Sequence, residues 1–229
     1  MSKLKKIFSL SVLISFIISP SIYALSLSEE LEKELSASNY LAELGIIKDV
    51  AKDIDITWTE YELIWWWETL AVIDAYRLSD TITRKETMKI VMKLSGLTVE
   101  ESCEWKFKDV PNDWWCKYIE SALKAWFIAE NDNFRPDDNI TKTESMKLVL
   151  KAKWLEKTRS TLNRQEDYME TAYEYGIIDK KYYNFNADAK RWWIFVITTA
   201  TIEKEEEIKE KIKEKIEEKW VYSDEASVN

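Results

Sequence analysis

The chain has 229 residues and carries 42 Asp and Glu against 33 Lys and Arg, a formal net charge of −9. An acidic chain repels phosphate backbones, which argues against nucleic acid as a partner. Histidine is absent altogether, removing imidazole-based triads and the commonest metal ligand. Paired carboxylates are plentiful but no pair is set apart, so no catalytic residue, metal ligand or cofactor is assigned.

The N-terminus has the layout of a secretory signal. Lys3, Lys5 and Lys6 precede an apolar run from Ile7 to Ile18, Pro20 breaks it, and Ile22-Tyr23-Ala24 offers cleavage after Ala24. The run is shorter than the ~20 residues that span a bilayer. Residues 1–24 are therefore expected to be removed from a secreted chain, leaving no transmembrane segment. Export would place Cys103 and Cys116, the only cysteines, where a disulfide between them is expected.

The chain then repeats itself. Residues 81–97, TITRKETMKIVMKLSGL, align without gaps with 139–155, NITKTESMKLVLKAKWL. A second pair, YIESALKAWFI (118–128) and YMETAYEYGII (168–178), is joined by the shorter NYLAELGII at 39–47. Thr83 or Asp80 can cap the first of these helices, and Glu86 completes a capping box after Thr83. Met88, Val91, Met92 and Leu97 supply an apolar stripe at helical spacing, as Ile119, Ala122, Leu123 and Trp126 do in the partner helix. Each unit is thus helix, Asn- and Asp-rich loop (131–139), helix. Such a unit cannot bury its own apolar face, so the units are expected to stack into an all-α domain of three helix–loop–helix repeats. Beyond them, a charged C-terminal helix at 203–220 alternates Glu and Lys around a row of Ile208, Ile212 and Ile216, and reads as a solvated helix able to dock a protein partner. Residues 221–229 read as a disordered tail.

Residues 107–150 resemble one complete S-layer homology repeat. The resemblance rests on Phe107-Lys108-Asp109-Val110-Pro111, the tryptophan soon after it, Tyr118-Ile119, the Phe134-Arg135-Pro136 turn, and a relative of the Thr-Arg-Ala-Glu motif that opens the second helix. On this basis the repeats are 37–97, with an insertion and closing on TRKE (83–86); 104–155; and 164–202, where KRWW (190–193) replaces the motif. The resemblance implies a pseudo-threefold bundle whose grooves hold a modified sugar of a secondary cell-wall polymer, often carrying an acidic ketal. A guanidinium can grip such a carboxylate with two parallel hydrogen bonds. Carried over position by position, the sugar contacts are Arg84, Asp109, Trp115 (Trp114 is an equal register), Lys142 and Arg191. Lys142 keeps the charge but loses the fork, and Trp193 stands where the third motif should be acidic. The plainer alternatives are a solvated Arg84, a turn-capping Asp109, and Glu86 and Glu144 as capping-box members only.

The functional expectation is a non-catalytic, cell-wall-associated protein of the cell surface that binds cell-wall polysaccharide. The alternative is an adaptor with degenerate sugar sites that docks another envelope protein through 203–220.

One anomaly of composition remains. At the usual ~7% glycine a chain of this length would hold about 16; this one has 3, beside 12 tryptophans. Trp126 stands where Gly45 and Gly176 stand in the related segments, and Trp154 stands where Gly96 does. Both slots follow a helix end, where positive φ favours glycine. The pattern is expected if UGA codons, which some bacteria read as glycine, have been rendered as tryptophan. Trp65, Trp66, Trp67, Trp105, Trp192 and Trp220 are further suspects. The alternative is a tryptophan-rich surface for stacking on sugar rings.

Overall fold

The computed structural model describes residues 29–48, 74–155, 164–179, 184 and 186–214. The signal segment 1–24, Trp65–Trp67, Trp220, the end of the charged helix and the tail 221–229 lie outside the described residues.

The chain is all-α. Its helices are α1 (Glu29–Glu43), α2 (Arg84–Ser95), α3 (Cys116–Lys124), α4 (Lys142–Ala152), α5 (Arg164–Glu174) and α6 (Arg191–Glu203), followed by α7 over 205–214. No described helix is long and apolar enough to cross a membrane.

Local chemistry sets the starts of α2 and α4. Thr83, not Asp80, is the N-cap of α2; its hydroxyl accepts from Glu86 N–H while Glu86 Oε2 accepts from Thr83 N–H at 3.0 Å. Thr141 and Glu144 repeat the arrangement at α4, also at 3.0 Å. Each box satisfies two backbone donors that a helix start otherwise leaves to water. Gly96 ends α2 in the left-handed region at φ 67°. The N-cap of α6, Lys190, makes no side-chain cap, so this helix depends on its packing. Its face supplies it: Trp193, Ile194, Phe195 and Ile197 are buried with Met88 and Val91 of α2 and Met146 and Val149 of α4.

The packing runs from unit to unit and returns. α3 packs on α2, α5 on α4 and α1 on α6, while α4 contacts both α2 and α6. At the centre, backbone bonds form a closed circuit: Ile140 N–H donates to Ile82 O (3.2 Å), Ile82 N–H to Ala189 O (3.0 Å), and Ala189 N–H to Ile140 O (2.7 Å). A second set lies just outside it, from Arg84 N–H to Asp138 O, Lys142 N–H to Ala187 O and Arg191 N–H to Asp80 O, each 2.9 Å. Every one of these amides is satisfied by a different unit, so no unit completes its own loop.

Before α3, the Cys103–Cys116 disulfide forms with its Cα atoms 6.0 Å apart. It fastens the 99–106 segment to the start of α3. Glu120 is buried beneath that segment, and its carboxylate accepts from the backbone N–H groups of Glu104 and Lys106.

The charged C-terminal helix departs from expectation. Ile208 is fully buried and Ile212 half buried; over its described length the helix lies on the protein itself rather than in solvent. It covers the ends of α2 and α4 beside a cleft lined by Ser95, Ala152, Lys153, Trp154, Leu155 and Ile212. The physical reason is pairing out of sequence range: Lys153 Nζ meets Glu205 Oε2 at 2.8 Å while Lys209 meets Glu205 Oε1 at 2.7 Å, and the apolar row between them is drawn down. Burial raises the Glu205 carboxyl, but hydrogen bonds and charge from Lys153 and Lys209 outweigh it and hold the group below its ordinary 4.5. A carboxyl lowered in the folded state stabilises fully above its unfolded value and loses that contribution as pH falls through the folded one. Glu205→Gln is therefore expected to lower stability at pH 7 and to weaken its acid-side pH dependence. Thermal unfolding between pH 7 and pH 3 checks this; identical profiles for both proteins would count against the pairing.

Candidate functional site

The residues carried over from the repeat resemblance fall at three separate junctions. Arg84 sits where the first unit meets the second. Its Nε donates to Phe134 O at 3.0 Å, its Nη1 pairs with Glu144 at 3.2 Å, and its guanidinium lies 5.0 Å from the centre of the Phe134 ring. Asp109 grips the same turn from the other side, accepting from Phe134 N–H (2.8 Å) and Arg135 N–H (2.7 Å). Arg84 and Asp109 thus hold one turn between them, and both are engaged with protein groups.

Arg191 repeats the pattern where the third unit meets the first, with Nε to Tyr76 O at 3.0 Å and Nη1 to Glu86 at 2.9 Å. The capping-box glutamates therefore have a second role that their spacing alone did not show: each anchors the arginine of a neighbouring unit. At the remaining junction Trp193 occupies the glutamate position. Lys142 lies over it instead, its Nζ 5.0 Å from the Trp193 ring centre and 5.5 Å from that of Trp192. Trp193 is buried and donates Nε1–H to Ser145 Oγ at 3.1 Å. At this junction a lysine meets an aromatic ring.

The two tryptophans that were equal in register differ in placement. Trp115 is buried, its Nε1–H donating to Asp113 Oδ2 at 3.1 Å. Trp114 is 50% exposed and meets the Tyr118 ring edge-on at 6.4 Å. Facing them from α2 are two lysines that sequence reasoning missed. Lys85 Nζ lies 5.3 Å from the Trp115 ring and pairs with Asp137 at 2.5 Å. Lys89 Nζ lies 5.3 Å from the Trp114 ring and meets no carboxylate among the described residues. One turn on, burial and then the charge of Lys89 push the Lys93 ammonium below its ordinary range. Lys85, Lys89 and Lys93 are spaced four apart on one helix face, and that row was the available signal. Its aromatic counterpart comes from α3 and is not adjacent in sequence.

The arrangement is a row of cations on α2 set against aromatic rings at the start of α3. It can receive an anionic group on Lys89 and a flat apolar face on Trp114. Among the described residues the only cluster of metal-binding type is Cys103, Cys116 and Glu120, and its sulfurs are bonded to each other.

Comparison with known proteins falls on this region. A family model, the S-layer homology domain, matches residues 106–144. The exoglucanase XynX of Acetivibrio thermocellus is 38% identical over 79 residues, which is 34% of this chain and 7% of the enzyme. The amylopullulanase of Thermoanaerobacterium thermosulfurigenes is 33% identical over 79 residues, 34% of this chain and 4% of that enzyme. The chain spans less than a tenth of either relative. With its Phe-x-Asp-Val-Pro opening, its gripped Phe-x-Pro turn and the capping box of its second helix all inside the match, the segment 106–144 is an S-layer homology domain.

Proposed function

We propose that this protein rests non-covalently on the cell wall by binding an acidic sugar of a secondary cell-wall polymer in the groove between α2 and α3. The observation that carries the reading is Lys89, a cation without a carboxylate partner among the described residues, set over the half-exposed ring of Trp114. In this reading residues 37–97, 104–155 and 164–202 are three repeats in a pseudo-threefold bundle, which the closed backbone circuit supports. Arg84, Asp109 and Trp115 shape the first groove and present its lysines. Arg191 and Lys142 mark the corresponding grooves at the other two junctions. The adaptor alternative loses support because Ile208, which was to face a partner, is buried against the protein itself.

Co-sedimentation of the secreted chain with purified cell-wall sacculi tests the proposal. Pelleting is expected with intact sacculi and is expected to disappear once acid extraction has removed the secondary polymer. A hydrogen bond to a charged group contributes about 1.5–3 kcal/mol, so Lys89→Ala should weaken pelleting about tenfold or more with the fold intact by circular dichroism. Equal pelleting of extracted and intact sacculi would overturn polymer binding, and undiminished pelleting of Lys89→Ala would remove this groove from it.

A further inference from the structure

We infer that positions 105, 126 and 154 are glycine in the native protein, whereas Trp115 and Trp193 are genuine tryptophans. The backbone sorts the tryptophans into two classes. Trp105, Trp126 and Trp154 have φ of 61°, 62° and 58°, and Gly45, Gly96 and Gly176 have φ of 68°, 67° and 67°. For an L-residue the left-handed region places Cβ against the following carbonyl, a strain that glycine escapes.

The hydrogen bonding around position 126 is that of its glycine counterparts. Trp126 N–H donates to Leu123 O and Phe127 N–H to Ala122 O, as Gly45 donates to Ala42 and Ile46 to Leu41, and as Gly176 donates to Tyr173 and Ile177 to Ala172. The carbonyl at each of the three positions then receives a lysine: Lys93 on Gly45 (2.5 Å), Lys151 on Trp126 (2.9 Å) and Lys204 on Gly176 (2.7 Å). Position 154 ends α4 as Gly96 ends α2, each N–H donating three residues back, to Lys151 O and Lys93 O.

Positive φ alone does not decide the matter. Arg77 and Arg135 share it at φ 53° and 60°, but they correspond to each other, and each pairs with the aspartate three residues on. The three tryptophans have no such compensation. The residues are 61%, 83% and 72% exposed, and none of their indole N–H groups donates to a described residue; among the described residues the one ring contact is Trp154 edge-on to Phe127 at 6.2 Å. Trp115 (φ −93°) and Trp193 are the opposite case, buried and hydrogen-bonded through Nε1. Glycine at either would leave a cavity of ring size.

The assignment withdraws the tryptophan-rich sugar-stacking surface at these three positions and leaves Trp114 and Tyr118 as the accessible aromatic side chains at the start of α3. It also opens the cleft under α7, one wall of which is Trp154. The test is peptide mass spectrometry of the protein isolated from the organism that encodes it. Glycine is expected at 105, 126 and 154, and tryptophan at 115 and 193. Tryptophan at 126 or 154, or glycine at 115 or 193, overturns the sorting. As a second measurement, the recombinant chain with Trp105→Gly, Trp126→Gly and Trp154→Gly should melt about 5–10 °C above the tryptophan form. Three alanines at the same positions should recover less of that shift, because alanine retains the Cβ. A glycine form that melts no higher than the tryptophan form counts against the inference.

Discussion

Ile208→Asp is expected to lower stability by about 4 kcal/mol. Ile208 is fully buried and belongs to the same core as α4 and α6. Removing most of a buried isoleucine alone costs about 2–5 kcal/mol, and a carboxylate there adds the penalty of an unpaired charge. The loss is capped by the docking energy of α7, because the helix can come away whole. Chemical denaturation gives the size of the effect, and hydrogen exchange over 205–214 shows whether α7 alone is released. An unchanged midpoint would mean that α7 is not docked in solution.

Arg84→Ala is expected to cost about 3 kcal/mol of stability, in contrast to Lys89→Ala, which should leave unfolding unchanged. The difference follows from what each cation touches. The Arg84 side chain is 17% exposed and bonds Phe134 O and Glu144 across a unit boundary. Removing one partner of a partly buried pair leaves the other without compensation. Arg84→Lys should recover only part of the loss, since an ammonium cannot span the carbonyl and the carboxylate in one plane. Urea denaturation of the three variants checks the order. If Arg84→Ala unfolds like the parent protein, its bonds contribute nothing to joining the units. Loss of wall binding in Arg84→Ala would then need the Lys89→Ala result beside it, because a loosened junction and a lost ligand contact look alike in a pelleting assay.

What was legible in the sequence was local or repeated. The capping boxes at Thr83 and Thr141 need only four residues each, and the correspondence of 81–97 with 139–155 exposed the helix pairs. What was hidden depends on partners far along the chain. The second bond of Glu144 goes to Arg84 and that of Glu86 to Arg191, so a glutamate that looks like a finished cap is also a joint. α7 looked solvated because Ile208 and Ile212 make a narrow row among charges, and nothing nearby shows that Lys153 waits for Glu205. Trp114 and Trp115 could not be ranked because Trp115 is the N-cap of α3 and Trp114 precedes it, where the change of chain direction decides which ring turns inward. The slots of Trp126 and Trp154 were legible for the opposite reason. Helix ends prefer glycine wherever they occur, so a misplaced residue there is visible without a partner.

The circuit joining Ile82, Ile140 and Ala189 also sets an order of events during synthesis. Ile82 N–H waits for Ala189 O, so the first unit emerges from the ribosome long before its own amide can be satisfied. Pairings so distant along the chain are slow to form because loop closure must precede the contacts that reward it. The circuit therefore closes only after Ala189 has been made, more than a hundred residues after Ile82.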